Sequence, residues 1–372
     1  MTDAPADDPA TTLVTDASTD LVGAAPARDI RRILVTGGAG FIGSCYVRDV
    51  LGRRDGTEIS VLDKLTYAGN EANLASVRAD DEQAARLRFV IGDIADREVV
   101  NDLVRDVDAV VNFAAESHVD RSILDPEAFL VTGVIGVHVL LEACRTAPHR
   151  PRYLQVSTDE VYGSVEEGHS REGDVLAPRS PYAAAKASGE FLVRSYVVTH
   201  GVDAVVTRGS NTYGPYHHPE KLIPLFVTNA IDDRPLPLYG DGLQRRDWLY
   251  VSDHASGIDH VLRHGRSGET YNVAGGVEMA NRDTVRLLLE HLGKPWSLVR
   301  HVEDRPGHDR RYAMDGSKLA SLGWRAKTTF EDGLARTIDW FVDNEPWWRA
   351  ARSGDWDAYY ERQYGQRLRT AT

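Results

Sequence analysis

From residue 30 onward, short apolar runs alternate along the chain with longer segments of helical character. The apolar runs lie at 33–35, 59–62, 88–91, 109–113, 153–156 and 204–206. Strands buried on both faces read as continuous apolar runs, and strands separated by helices pair in parallel. The pattern therefore predicts an α/β fold in which helices cover both faces of a doubly wound parallel sheet.

Beyond residue 211 this rhythm gives way to loops rich in Pro and Gly, with later helical segments at 282–292 and 330–344. The change predicts a smaller α/β C-terminal lobe that binds the substrate. The expected division is 1–29 as a disordered tail, 30–210 as the first domain with 247–272 returning to it, 211–246 and 273–350 as the lobe, and 351–372 as a C-terminal extension.

The composition is that of an ordinary globular enzyme, with 372 residues, 42% hydrophobic and 27% charged. A formal net charge of −13 argues against binding to nucleic acid or to an anionic membrane, since both require a basic face. No apolar run reaches the length of a bilayer span, and the N-terminus lacks the pattern of a secretory signal. Cys45 and Cys144 lie in apolar helical stretches and are expected to be buried. We expect a cytoplasmic protein without a metal site.

The first predicted strand leads into a glycine-rich turn and then a helix. Gly37, Gly40 and Gly43 give the spacing GxxGxxG, which lets a helix N-terminus approach a pyrophosphate, although glycine in such a turn is often only structural. Asp63, at the end of the second strand, can accept both ribose hydroxyls and would repel a 2′-phosphate. Together they predict a Rossmann-type site for NAD rather than NADP. Asp93, after the third strand, is placed either to meet the adenine or to cap a turn.

Three side chains that can hold or move protons, Thr158, Asp159 and Glu160, follow the fifth predicted strand. Tyr182 and Lys186 follow on a predicted helix, and residues four apart share one helix face. Alone, a Tyr-x-x-x-Lys pattern is usually surface helix. After a nucleotide loop it predicts a phenol base whose pKa the neighbouring ammonium lowers.

The motifs resemble the extended short-chain dehydrogenase/reductases, and among them most the dTDP-glucose 4,6-dehydratases, from about residue 31 to residue 348. The distinguishing match is STDEVYG at 157–163, since sugar-nucleotide 4-epimerases and uronate decarboxylases lack the Thr-Asp-Glu run. Further matches are AAESHVDRS, SNTYGPY, PEKLIP, RDWLYV and DRPGHD, at 114–122, 210–216, 219–224, 246–251 and 304–309.

The resemblance implies two sets of ligand contacts. The expected NAD contacts are Gly37, Gly40, Phe41, Ile42, Gly43, Asp63, Lys64, Thr66, Asp93, Ile94, Ala114, Ala115, Ser117, Thr132, Tyr182 and Lys186. The expected dTDP-glucose contacts are His118, Thr158, Asn211, Lys221, Leu222, Pro237, Tyr239, Arg246, Asn272, Arg305 and His308. The basic members supply the local positive charge that a diphosphate needs in an acidic protein.

Three positions depart from the family pattern. Gly133 stands where Asn is usual, Thr212 replaces the second Asn of Ser-Asn-Asn-Tyr-Gly, and Gly209 replaces a Cys. Both missing Asn residues lie near the cofactor in the family, so the positioning of the nicotinamide is left open.

The predicted helix at 127–145 is apolar almost all round, so its outer side should be covered. The cover is either the C-terminal lobe or, as the resemblance implies, a second copy of the chain that pairs this helix and the Tyr182 helix across a two-fold axis.

The implied reaction oxidises C4 of the glucose, eliminates water across C5 and C6, and returns the hydride to C6. Tyr182 would be the oxidation base, Glu160 the base at C5 and Asp159 the acid at the 6-hydroxyl, with Thr158 bonded to O4. Adjacent strand residues point to opposite faces, so the strand must end before Asp159 and Glu160 can share a site. A 4-epimerase or decarboxylase, or a non-catalytic dinucleotide-binding protein, remains the alternative.

Overall fold

One large sheet and two small ones organise the chain in a computed structural model that describes residues 27–304, 308–352 and 356–370. The strands are β1 (Arg32–Thr36), β2 (Glu58–Asp63), β3 (Leu87–Ile91), β4 (Ala109–Asn112), β5 (Arg152–Thr158), β6 (Ala204–Gly209), β7 (Asn211–Tyr213), β8 (Leu236–Tyr239), β9 (Arg245–Tyr250), β10 (Thr270–Val273), β11 (Glu278–Ala280) and β12 (Val299–Val302). The large sheet has the order β10-β6-β5-β4-β1-β2-β3, and all its pairings are parallel.

Helices cover both faces of this sheet. The α-helices are α1 (Phe41–Gly52), α2 (Ala75–Arg78), α3 (Asp81–Ala85), α4 (Arg97–Val104), α5 (Val119–Leu124), α6 (Glu127–Leu130), α7 (Val137–Thr146), α8 (Pro181–His200), α9 (Leu222–Ile231), α10 (Val251–His264), α11 (Asn281–Leu292), α12 (Ser317–Ser321), α13 (Phe330–Asp343), α14 (Glu345–Ala351), α15 (Trp356–Tyr360) and α16 (Gln366–Arg369). One apolar core lies under α1 and α10, and another lies under α4, α7 and α8. The predicted Rossmann-type fold is confirmed.

The strand order places β1 between β2 and β4: the chain first runs outward from β1 to β2 and β3, then crosses back to β4 and continues in the opposite direction. In open α/β sheets the loops at such a point part and leave a crevice beyond the carboxyl ends of the strands. The ends of β1, β2, β4, β5 and β6 all border one cleft here.

The smaller lobe contains a three-stranded sheet, β11-β9-β7, and a two-stranded sheet, β12-β8. Its core packs α9, α11 and α13 together with aromatic side chains of the C-terminal segment. The sequence assigned 247–272 to the first domain, but residues 245–250 form β9 of the small sheet. The return to the large sheet therefore begins with α10 and continues into β10. The tail at 1–29 lies outside the described residues except for its last three.

The strand break that the sequence predicts after Thr158 is present. Strand β5 ends at Thr158, and Asp159–Tyr162 form a 3-10 helix. The N–H of its second residue, Glu160, donates to the Thr158 hydroxyl, which caps the helix. Helix α8 begins at Pro181 because the Ser180 hydroxyl caps it, accepting from the Ala183 N–H. These two local signals fix the start of both functional segments.

Helices α6 and α7 are joined by a π-helical turn, Val131–Gly136, into one continuous helix from 127 to 146. Glycine allows α8 to pack closely on it: a Cβ on Gly133 would lie 3.1 Å from the Ala185 Cβ, and one on Gly189 would lie 2.9 Å from the Gly133 carbonyl oxygen. Among the described residues this is the one helix long and apolar enough to cross a membrane, and 44% of its apolar window is buried inside the protein.

Candidate active site

The glycine turn after β1 forms a cradle that excludes side chains. Gly37 has φ +69°, and a Cβ on it would lie 2.7 Å from the Ala114 backbone nitrogen. A Cβ on Gly43 would lie 2.3 Å from the Gly37 carbonyl oxygen. Helix α1 starts beside this turn with Gly40 as its N-cap and no side-chain cap, so its first N–H groups face the cleft. The cradle fits a pyrophosphate group.

Asp63 ends β2 at the edge of the same cleft. Its two carboxylate oxygens accept the Ala39 and Leu65 N–H groups, both at 2.8 Å. Burial raises the pKa of Asp63, and these two hydrogen bonds oppose the rise. The carboxylate is thus held rigidly, and each oxygen keeps a lone pair that can accept a ribose hydroxyl.

Asp93 has structural partners of its own. It accepts the Ala95 N–H at 2.9 Å and pairs with Lys64 at 2.8 Å. Burial alone would raise the pKa of Asp93, but these two contacts outweigh burial and lower it. One carboxylate oxygen of Asp93 therefore caps a turn, as one of the two alternatives predicted. The residue also borders the cleft.

All the residues expected to contact the cofactor border this one cleft, including Thr132 from the π-helical turn. The cleft is lined by Gly37, Gly40, Phe41, Ile42, Gly43, Asp63, Lys64, Thr66, Asp93, Ile94, Ala114, Ala115, Ser117, Thr132, Tyr182 and Lys186, together with Thr158, Asp159, Glu160, Asn211, Lys221 and Leu222. The glycine cradle and the residues predicted to transfer protons therefore line the same cleft.

Asp159 is the most enclosed acid of the cleft, at 4% exposure. Its Oδ1 accepts the Thr158 hydroxyl at 3.1 Å, and its Oδ2 has no hydrogen-bond partner among the described residues. Burial raises the pKa of Asp159 far above that of an ordinary aspartate, and the charges of Glu160 and Asp247 add to the rise. The surroundings of Asp159 thus favour its protonated form, whereas Glu160 is partly exposed to the cleft.

Tyr182 and Lys186 lie on successive turns of α8. Burial raises the pKa of the Tyr182 phenol, and the Glu160 charge adds to the rise while a hydrogen bond with Thr158 opposes it. Burial lowers the pKa of Lys186 to about 8, and its ammonium donates to the Val156 carbonyl at 3.0 Å. The protein therefore raises the pKa of the Tyr182 phenol, whereas the sequence predicted that Lys186 would lower it.

A buried ion pair connects β6 to α8, and a hydrogen bond extends this connection to β5. Arg208 in β6 makes a bidentate pair with Glu190, and Glu190 also accepts the Ser157 hydroxyl. Arg208 donates to the Tyr162 hydroxyl at 2.7 Å, and Tyr162 donates to Asn272 at 2.8 Å. This network fixes the residues on either side of the Thr158 segment.

The expected substrate residues divide into two groups. Asn211, Lys221 and Leu222 line the cleft, with the Lys221 ammonium 2.6 Å from the Ser117 carbonyl. His118, at the start of α5, lies close enough to Glu220 to lower its pKa.

Tyr239, Arg246 and His308 form the second group, on the smaller lobe. Arg246 lies 2.9 Å from the His308 Nε2, and the Tyr239 and His308 rings are 5.9 Å apart. The C-terminal segment also reaches this group, since Gln363 donates to the Tyr239 hydroxyl at 2.8 Å and Arg367 donates to it at 3.2 Å. Gln363 and Arg367 could not be predicted, because they belong to no recognised motif and contact a residue that is distant in sequence.

Two predicted substrate residues lie elsewhere. Asn272 is fully buried in β10, where its amide nitrogen donates to the Ser170 and Asp315 carbonyls and its oxygen accepts from Tyr162. All its polar atoms are thus used inside the fold. Pro237 is buried in β8, opposite β12, and is absent from the cleft lining among the described residues. Arg305 lies outside the described residues.

Several residues of the site were not predicted. Asp247 accepts the Gly275 and Val277 N–H groups, and burial raises its pKa to about 6. Asp247 does not belong to the cleft lining among the described residues, but its charge contributes to the raised pKa of Asp159. His217, whose ring stacks 4.2 Å from Phe41, and His254 border the cleft. Asp247 stands in the RDWLYV motif, which was a usable signal, whereas the two histidines carry no local signal.

Comparison with known proteins identifies relatives over most of the chain. Residues 34–337 match the profile of a family described as GDP-mannose 4,6 dehydratase. A dTDP-glucose 4,6-dehydratase of Streptomyces niveus is 51% identical over 330 residues, which are 87% of this chain and 96% of that protein.

Solved structures agree in fold. The crystal structure of DesIV, a dTDP-glucose 4,6-dehydratase of Streptomyces venezuelae with NAD and TYD bound, is similar with a TM-score of 0.83 and 52% identity, covering 86% of this chain and 99% of that one. The NAD complex of a Thermus thermophilus UDP-glucose 4-epimerase is similar with a TM-score of 0.77 and 33% identity, covering 84% of this chain and 99% of that one. The dehydratases are thus more similar in sequence than this epimerase.

Proposed function

Because the chain belongs to the dTDP-glucose 4,6-dehydratase family, we propose that it uses NAD to convert dTDP-glucose to dTDP-4-keto-6-deoxyglucose. The observation that carries this proposal is the pair of unlike acids after β5. Asp159 is buried in surroundings that raise its pKa and favour its protonated form, and Glu160 beside it is partly exposed. A 4-epimerase also oxidises C4 but has no use for an acid aimed at C6.

NAD, when bound, supplies the acceptor for the C4 hydride and later the donor of the hydride to C6. The chain's own contribution to its binding is the glycine cradle of Gly37 and Gly43, which a Cβ would fill, and the rigid carboxylate of Asp63 at the ribose position. The same residues favour NAD over NADP, because a 2′-phosphate would meet the Asp63 charge.

Tyr182 and Thr158 act at the sugar O4. The phenol removes the hydroxyl proton, and the Thr158 hydroxyl, in hydrogen-bond contact with Tyr182, holds the same oxygen. Ionisation of a buried phenol needs positive charge nearby. Lys186, one helical turn away, supplies part of that charge, because an ammonium with a pKa of about 8 is mostly protonated at neutral pH.

Elimination then divides between the two acids. The new ketone at C4 acidifies the C5 proton, and Glu160 removes it. Asp159 donates its proton to the departing 6-hydroxyl, which leaves as water. Glu160 exchanges its proton with water and protonates C5 after the hydride reaches C6. Glu160 thus needs to be ionised while Asp159 needs to be protonated, and the difference in burial between them supports this division.

Turnover assays with dTDP-, UDP-, GDP- and CDP-glucose test the proposal. We expect dTDP-glucose to be the preferred substrate, and its product to carry a 4-keto group and a C6 methyl without net formation of NADH. Stoichiometric NADH, or a product that retains its 6-hydroxyl, would contradict the dehydratase assignment and favour the epimerase alternative.

We further propose that the protein is a cytoplasmic homodimer paired through α8 and the 127–146 helix. Large apolar side chains on these helices are exposed in the single chain: Ile135 at 50%, Phe191 at 57% and Val198 at 77%. A patch of this kind supports an isologous interface. Ile135→Asp should shift the chain from dimer to monomer in sedimentation velocity, whereas Val175→Asp, at a position that is 87% exposed in a loop, should not. A wild-type monomer at micromolar concentration would refute the dimer.

A further inference from the structure

Two of the positions that depart from the family pattern contact the same buried histidine. Gly209 ends β6 and is the strand partner of Thr158 in β5. The imidazole of His254, from the first turn of α10, lies against it: a Cβ on Gly209 would be 2.4 Å from Nε2 and 2.3 Å from Cε1. The Cys that is usual at this position therefore cannot coexist with the ring in this place.

Thr212 sets the tautomer of the ring. Its Oγ1 lies 3.1 Å from the Ser210 carbonyl oxygen and 2.7 Å from the His254 Nδ1. With the Thr212 hydroxyl donating to the Ser210 carbonyl, Oγ1 can only accept from the ring, and we assign the ring proton to Nδ1 on this ground. Burial lowers the pKa of His254 to about 3, so the ring stays neutral at physiological pH. Nε2 is therefore an unprotonated acceptor.

This acceptor has no internal partner. His254 is 2% exposed, and its Nε2 makes no hydrogen bond to any described residue. His254, Gly209 and Thr212 all line the cleft that contains Thr158 and Tyr182. A buried polar atom without a partner costs stability, and native proteins satisfy nearly all such atoms. A ligand or a water molecule in the cleft is the remaining source of a donor.

We propose that His254 Nε2 accepts a hydrogen bond from a donor group of the bound ligand beside Thr158, and that Gly209 and Thr212 create this acceptor by admitting and orienting the ring. The inference rests on the proposed function and specifies how this chain compensates for an Asn that is usual at position 212. Two donors fit the chemistry, the carboxamide N–H of nicotinamide and a hydroxyl of the hexose.

The nicotinamide source is tested by binding alone. The 3-acetylpyridine analogue of NAD replaces the carboxamide with a methyl ketone and so lacks the N–H. Titration calorimetry on the full chain freed of nucleotide gives the ratio of the affinities for NAD and for the analogue. His254→Phe keeps an aromatic ring but removes the acceptor nitrogen. We expect the ratio of the NAD affinity to the analogue affinity to fall about 3- to 12-fold, which corresponds to the loss of one neutral hydrogen bond.

Two further variants separate the acceptor from the fold. Gly209→Ala should lower the ratio similarly, because its Cβ displaces the ring. His260→Phe serves as the matched control, since His260 lies on the same helix but bonds to the Leu322 carbonyl rather than facing Gly209. If His254→Phe does not fold, Gly209→Ala alone decides the result.

The hexose source gives a different pattern. The NAD ratio would stay unchanged, while His254→Phe would raise the KM for dTDP-glucose about 3- to 12-fold and leave the affinity for dTDP, which has no hexose, unaltered. If neither quantity changes in a folded variant, the acceptor role is wrong. Failure of the wild type to turn over dTDP-glucose would refute the proposed function instead, and the NAD ratio would still be measurable.

Discussion

Asp159→Asn tests whether the acid after β5 holds a proton. The amide reproduces the protonated carboxyl in shape, since its oxygen can keep the hydrogen bond from Thr158. The folded pKa of Asp159 is raised, so the folded wild type binds a proton that the unfolded chain releases above its ordinary pKa near 4. Wild-type stability must therefore fall as pH rises between the unfolded and the folded pKa, and the variant escapes this loss.

The expected size follows from linkage. The difference in free energy of unfolding between Asp159→Asn and wild type should grow by up to about 1.4 kcal/mol per pH unit, or up to about 2.7 kcal/mol from about pH 5 to about pH 7. Urea denaturation across this range measures it. Asp102→Asn, on the exposed face of α4, is the control and should show no comparable growth.

The same variant has a kinetic signature. General acids contribute about 10²- to 10⁴-fold to steps with poor leaving groups. Asp159→Asn should therefore oxidise C4 of dTDP-glucose and slow at elimination, while an analogue with fluoride at C6, which needs less protonation to depart, should recover most of the lost rate. A stability difference that is flat with pH, or equal slowing of both substrates, would refute the acid role.

The remaining predictions concern other parts of the site. Tyr182→Phe should barely reduce NAD, whereas Glu160→Gln should accumulate enzyme-bound NADH with little dehydrated product in stopped-flow absorbance; equal loss of hydride transfer in both would contradict the division of roles. Gly43→Ala should weaken NAD affinity at least about fivefold because its Cβ meets a carbonyl oxygen at 2.3 Å, while Gly52→Ala, where nothing lies within 4 Å, should bind NAD normally. Asn272→Ala should lower the free energy of unfolding by about 1–3 kcal/mol by stranding buried partners, yet leave the KM for dTDP-glucose unchanged; a raised KM without destabilisation would return Asn272 to the substrate site.

Features that depend on local chemistry could be predicted from the sequence. The glycine cradle, the helix cap at Ser180 and the buried strands each depend on a few residues that are adjacent in the sequence. The end of β5 before Asp159 was also predictable, because two adjacent residues with a shared task cannot both belong to a regular strand.

Features that depend on distant partners could not be predicted. Asn272 was predicted to contact the substrate, but its amide nitrogen donates to the carbonyls of Ser170 and Asp315, which are distant in sequence. The tautomer of His254 follows from a contact with Thr212 across 42 positions of sequence. The raised pKa of Tyr182 likewise results from burial, which a single sequence does not specify.

The most direct test of the account is the fate of hydrogen during turnover. With dTDP-glucose that carries deuterium at C4, we predict a product with that deuterium in the C6 methyl group and a C5 hydrogen derived from solvent, with no accumulation of NADH. These positions follow if the hydride taken from C4 is returned to C6 and Glu160 exchanges the C5 proton with water. Deuterium that stays at C4, or that accumulates in released NADH, would contradict the proposed dehydratase.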